Sequence, residues 1–187
     1  GEILFKGRTM DEYTAQDMAA QIGFVQQDVN SQLVTDKVWH ELAFGLESMG
    51  YDNDHIRRRV AEMSSFFGLT GIFHREVTRL SGGQKQRISL ARALAIKPSI
   101  LILDDTTSAV DMETEAHIQK SLENLDFSCT KIIIAQRISS AKNADKIIIL
   151  ENGKIKEMGT HDELLAQKGY YYEVYMLQNE GVEKGAV

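Results

Sequence analysis

Cysteine is almost missing from this chain. One residue, Cys129, stands among 187, so no internal disulfide can form and the composition suits a reducing compartment. No apolar run approaches the ~20 residues that cross a bilayer, and the first residues carry no signal-peptide pattern. Basic residues are outnumbered, 21 Lys and Arg against 27 Asp and Glu, for a formal charge of −6. That balance argues against nucleic acid as the main partner. No internal repeat recurs, and the one proline is Pro98. What remains is a chain of one-domain length whose 43% hydrophobic content can fill a core.

The stretch that organises the rest is Leu80-Ser81-Gly82-Gly83-Gln84-Lys85-Gln86-Arg87. Ser81 with Gln84 three residues on is a capping box, and Ile88, Ala91, Leu94 and Ala95 form one apolar stripe of a helix. Pro98 biases Lys97 away from helix and ends the element. A plain cap does not explain paired glycines, which cost helix stability. They leave backbone N–H groups open at a helix N-terminus, a ready site for phosphate. Ile100-Leu101-Ile102-Leu103 then reads as a strand buried on both faces, as in a parallel sheet. It delivers Asp104 and Asp105 at its C-terminal end, where open α/β sheets bind ligands.

Elsewhere, Gly1 to Gly7 reads as a strand into a turn and Gln21 to Val25 as a short strand. Val38, Leu42, Ala43 and Leu46 recur at helical spacing, as do Ile56, Val60, Met63 and Phe67. Arg57-Arg58-Arg59 reads as a solvated helix flank, and Trp39 and Phe44 are open to internal packing or to a partner. Met112 to Leu125 reads as a helix with Asp111 as its N-cap, leading to a buried strand at Lys131 to Ala135 and so a βαβ unit. Lys146–Leu150 and Lys154–Met158 form a hairpin turning at Asn152-Gly153. Thr160 and Glu163 make a second capping box, with His161 structural. Tyr170 to Gln178 continues the chain, and Glu180 to Val187 reads as a frayed end.

Leu-Ser-Gly-Gly-Gln at 80–84, Ile-Leu-Ile-Leu-Asp-Asp at 100–105 and Ser-Ala-Val-Asp at 108–111 together resemble the ATPase domain of ABC transporters. The resemblance runs over nearly the whole chain. Asn30 to Val34 with Ala43 to Glu47 is similar to the energy-coupling-factor and cobalt-type importers. The part after Gln86 resembles heterodimeric ABC exporters, in particular their degenerate half.

The resemblance implies an α/β fold, a P-loop NTPase-like parallel sheet with a helical signature subdomain. It implies one partial domain: core strands and glutamine loop over 1–29, helical subdomain over 30–80, signature helix over 81–97, aspartate-bearing core over 98–162, and C-terminal helix and tail over 163–187. It implies ATP and Mg2+ as cofactors. Ser81, Gly82, Gly83 and Gln84 would close over the γ-phosphate of an ATP held by a second ABC ATPase domain, acting in trans. Gln27 would reach the magnesium and the attacking water, Asp104 would help hold the metal, and Asp111 would contact the partner's site.

Three departures from the family pattern matter. No Gly-x-x-x-x-Gly-Lys-Ser/Thr occurs; the one Gly-Lys pair, Gly153-Lys154, lacks the first glycine and is followed by Ile155. That loop would grip the phosphates, so the chain is expected to be a fragment or a truncated product, its sheet incomplete. Asp105 stands where the family has the glutamate that polarises water, and Gln136 where it has a histidine on the γ-phosphate. Glutamine donates a hydrogen bond but does not titrate near neutral pH. The chain alone is therefore expected to be inactive, although Asp105 and Gln136 keep the catalytic positions. The implied function is that of an ATP-binding part of an ABC transporter, with transmembrane subunits as partners, on the inner face of the cell membrane. The alternative is a non-catalytic dimerising or regulatory module, or an inert remnant.

Overall fold

The computed structural model describes residues 1–106 and 112–183. The chain divides into two compact units, Gly1–Ile134 and Ala135–Val187.

The first unit opens with a hairpin, β1 (Leu4–Phe5) against β2 (Arg8–Thr9). The turn is made by Lys6 and Gly7, both at positive φ. Helix α1 (Ala15–Gln21) follows, started by Thr14, whose side chain exchanges hydrogen bonds with Asp17 and its backbone. Strand β3 (Ile22–Val25) leads to the short α2 (Val29–Gln32), capped by Asp28. Helices α3 (Val38–Ser48), α4 (Asn53–Phe66) and α5 (Gly82–Ala95) come next. Strand β4 (Ile100–Asp104), α6 (Met112–Glu123) and β5 (Thr130–Ile134) complete the unit.

The three longer strands form a parallel sheet in the order β3-β4-β5, with Ile22 opposite Ile100 and Ile100 opposite Thr130. The expected α/β class and βαβ unit are therefore present. Helix α5 sits at the centre, packing on α2, α3, α4 and β3. The apolar stripes place Val38, Leu42, Leu46, Val60, Met63, Phe67, Ile88 and Leu94 in one core with Val25, Leu101 and Leu103. Each such side chain contributes about 1.5–3 kcal/mol by leaving water. Gly23 permits the approach of helix to sheet, because a Cβ there would lie 3.0 Å from the Ala93 carbonyl and 3.1 Å from Leu101 and Pro98.

Three readings of the sequence are corrected here. Strand β4 is buried on one face only: Leu101 and Leu103 are inside, whereas Ile100 and Ile102 are half-buried. Strand β5 is exposed along its length, with Ile132, Ile133 and Ile134 at 47%, 38% and 51%. It is an edge strand whose apolar run reflects strand propensity rather than burial. In the arginine run, Arg57 and Arg58 are solvated as expected, but Arg59 is buried. The 100° advance per helical residue turns it toward α5, where its Nε and Nη2 donate to the Ala95 and Leu94 carbonyls at 2.8 and 2.9 Å. This guanidinium caps the C-terminus of α5 and meets the negative end of its dipole.

The second unit holds α7 (Ile138–Ala141), an antiparallel hairpin of β6 (Ile147–Glu151) and β7 (Lys154–Gly159), and helices α8 (His161–Gln167) and α9 (Tyr170–Glu183). Asn152 and Gly153 make the turn at φ 52° and 74°, the left-handed pair a two-residue hairpin requires. The Thr160–Glu163 box starts α8. Its small core is Ile138, Ile147, Leu164 and Tyr171, and His161 Nδ1 lies 2.7 Å from the Tyr171 hydroxyl. Gln178 reaches back from α9, accepting from the Ile138 N–H at 2.9 Å and donating to the Gln136 carbonyl at 3.1 Å. Helix α9 runs on through Glu183, so the first part of the expected frayed end is helical; 184–187 lie outside the described residues.

Candidate functional site

The N-terminus of α5 is built as its residues dictate. Ser81 is extended (φ −68°, ψ 161°); its Oγ accepts from the Gln84 N–H at 3.3 Å while Gln84 Oε1 accepts from the Ser81 N–H at 3.0 Å. The box uses two of the donors a helix leaves open at its start. The N–H groups of Gly82 and Gly83, the first two residues of the helix, are not among those it uses. Ser81 and Gly82 are exposed and Gly83 half-buried. A Cβ on Gly82 would meet nothing within 4 Å, whereas one on Gly83 would lie 3.1 Å from Thr114 Oγ1. The feature is an open patch of backbone donors at the positive end of a 14-residue helix, suited to an anion.

A second group forms at the ends of β3 and β4. Gln27, two residues beyond β3, donates through Nε2 to Asp105 Oδ2 at 3.1 Å, across 78 positions of sequence. Asp105 is buried, and its own N–H donates to the Ile134 carbonyl at 2.8 Å. Its φ of 44° is left-handed, a region that aspartate tolerates better than most residues. Asp104, the last residue of β4, is half-buried on the same face as Ile100 and Ile102. With Nε2 donated to the Asp105 carboxylate, the Oε1 of Gln27 is not used in that contact. Hard oxygens of this type suit magnesium, which is held by one or two carboxylates plus phosphates rather than an all-protein cage. No cluster of three or more His, Cys, Asp or Glu occurs among the described residues.

So the candidate residues fall into groups. Ser81, Gly82, Gly83 and Gln84 share one helical turn, and Gln27 shares a hydrogen bond with Asp105. Gln136 is exposed and belongs to the second unit. Asp111 lies outside the described residues.

Sequence reasoning missed the residues that hold these groups. Lys85 Nζ donates to Asn30 Oδ1 at 2.8 Å, tying the first turn of α5 to α2. Gln32 binds the backbone of β3 and beyond through both ends of its amide. Polar side chains that meet partners outside their own turn leave no periodic trace, so no pattern pointed to them. Trp39, Ala43, Ile56, Val60 and Phe73 also line a groove of about 340 Å³ between α3 and α4.

The family model described as ABC transporter matches residues 1–108. The chain belongs to the ABC transporter family. It is sequence of that family's ATP-binding domain. The ATP-dependent lipid A-core flippase of Francisella tularensis subsp. tularensis (strain FSC 198) is 40% identical over 183 residues, covering 94% of this chain and 29% of its own length. Among solved structures, a bacterial Atm1-family ABC exporter with ATP bound superposes with a TM-score of 0.81 at 31% identity, over 95% of this chain and 32% of its own. CbiO1 from Clostridium perfringens, part of the ABC transporter complex CbiONQ, gives 0.80 at 29% identity, over 90% of this chain and 69% of its own. The chain thus spans about a third of the flippase it matches, and its parallel sheet is the ABC ATPase fold. No helix among the described residues is long and apolar enough to cross a membrane.

Proposed function

We propose that this chain serves an ABC transporter of the exporter type by closing a nucleotide site whose phosphate loop belongs to a partner ATP-binding domain. The observation that carries this reading is the open start of α5, where the Ser81–Gln84 box leaves the glycine N–H groups unspent beside exposed backbone. ATP, when bound, supplies the phosphoanhydride whose cleavage drives transport. The residues of this chain would orient and neutralise it: the Gly82 and Gly83 N–H groups would donate to phosphate, with Ser81 and Gln84 setting their direction. Asp104 and Gln27 would hold Mg2+, which would offset the charge of the phosphates. Asp105 orients water with a carboxylate drawn back by roughly 1 Å relative to glutamate, a shift that can cost ~100-fold in rate. Gln136 offers a hydrogen bond without a proton to exchange. Asp111 contributes to the partner's side.

In this reading the groove lined by Trp39 and Phe73 receives a transmembrane subunit, with the chain on the cytoplasmic side of the membrane. Alone, the chain turns over no ATP. The test is nucleotide-dependent association with a complete ABC ATP-binding domain carrying the phosphate loop. Wild type is expected to associate when ATP is present, and Gly82→Asp, which fits the open space yet sets a carboxylate against phosphate, is expected not to. Equal association of both, or turnover by the chain alone that Asp105→Ala abolishes, would overturn the reading.

A further inference from the structure

Gln27 is exposed and follows a strand end, so something must aim it at Asp105. Gln32 is placed to do that. Its Nε2 donates to the Phe24 carbonyl at 2.6 Å, and its Oε1 accepts from the Gln26 N–H at 3.2 Å. This fork grips the backbone on both sides of Val25, which is fully buried, and closes the loop from 24 to 32. The carbonyl of Gln32 in turn accepts from Arg92 Nη1 at 2.7 Å. Arg92 lies on α5, eleven residues beyond the Ser81 cap by their numbering.

We propose that Gln32 is the positioning residue for Gln27, and that Arg92 transmits the placement of the signature helix to it. Gln27 Cα is one residue past the gripped Gln26 N–H, so the fork fixes where its side chain leaves the sheet. The Gln27–Asp105 contact at 3.1 Å survives only if that origin is fixed, since a displacement near 1 Å removes a hydrogen bond. The same α5 whose start faces a partner's phosphate thereby holds the loop that bears Gln27. The inference rests on the reading of Gln27 as a site residue given above.

The test uses the 15N-labelled 187-residue chain without nucleotide, so its outcome is independent of the association experiment. In Gln32→Ala, the Gln26 amide is expected to exchange about five-fold faster or more, as one lost hydrogen bond implies. The Gln27 side-chain NH2 resonance is expected to move to where Asp105→Ala puts it. Gln32→Glu keeps the acceptor for Gln26 but loses the donor to Phe24, and is expected to give an intermediate shift. Amides of α4 should exchange as in wild type in both variants, a pattern that general destabilisation does not produce. A Gln27 signal unmoved by Gln32→Ala, or unmoved by Asp105→Ala, overturns the proposal. Should Gln32→Ala fail to fold, Gln32→Glu decides by the same two signals.

Discussion

Glu41 and Arg92 form an ion pair inside the first unit, between α3 and α5. The Glu41 carboxylate has no exposure, and its Oε2 also accepts from the Val34 N–H at 3.1 Å and from the Thr35 N–H and Oγ1 at 2.8 Å each. Every donor comes from outside its own helix, so one acid joins α3, α5 and the segment between α2 and α3. Arg92→Ala leaves that carboxylate buried without its cation and is expected to cost about 3–5 kcal/mol. Urea unfolding followed by the fluorescence of Trp39, the single tryptophan, reports this unit and checks it.

Arg59 closes the far end of α5. Two charge-assisted bonds to buried carbonyls are involved, and Arg59→Lys cannot make the planar fork. We expect a loss of about 2 kcal/mol in the same unfolding assay. Glu62, whose Oε2 is 2.6 Å from Arg59 Nη1 but whose side chain is 48% exposed, should matter less: Glu62→Ala is expected to cost under about 1 kcal/mol.

The two signature glycines differ. Gly82→Ala enters open space at a helical position and should stabilise the fold by about 0.5–1 kcal/mol. Gly83→Val drives a branched side chain into Thr114 and should destabilise it, with Thr114→Ala restoring part of the loss. Thermal melts of the three variants and the pair decide this. Should Gly82→Ala be more stable and yet impair nucleotide-dependent association, then stability is not what glycine supplies at 82.

Cys129 is half-buried, and burial raises its thiol above the usual range, with Lys131 opposing. The native state therefore favours the neutral thiol. As pH rises past the ordinary thiol value the unfolded chain ionises first, and the stability tied to the neutral form is lost up to the folded value. Alkylation by iodoacetamide at pH 8 is expected to be slower in the native chain than in urea, with a pH midpoint shifted upward. Equal rates in the two states would contradict this.

Local chemistry was legible where it repeats or punctuates. The stripes of α3, α4 and α5, the boxes at Ser81 and Thr160, and the Asn152-Gly153 turn follow from spacing and from residues with few backbone options. Helix α1 was missed because its box closes with Asp17, an acid shorter than the glutamate or glutamine the pattern seeks. Burial of β5 was misjudged because Lys131 to Ala135 is equally apolar whether or not anything covers it. Arg59 was misjudged by being read with its neighbours rather than by its own angle on α4. The pairing of Gln27 with Asp105 depends on β3 lying beside β4, which composition cannot report.

The three isoleucines of β5 carry a practical consequence. A strand margin that is apolar, free of proline and open to solvent is a template for another strand. Purified at high concentration, the 187 residues should self-associate edge to edge, and a lysine substituted for Ile132 would be the economical way to keep them dispersed.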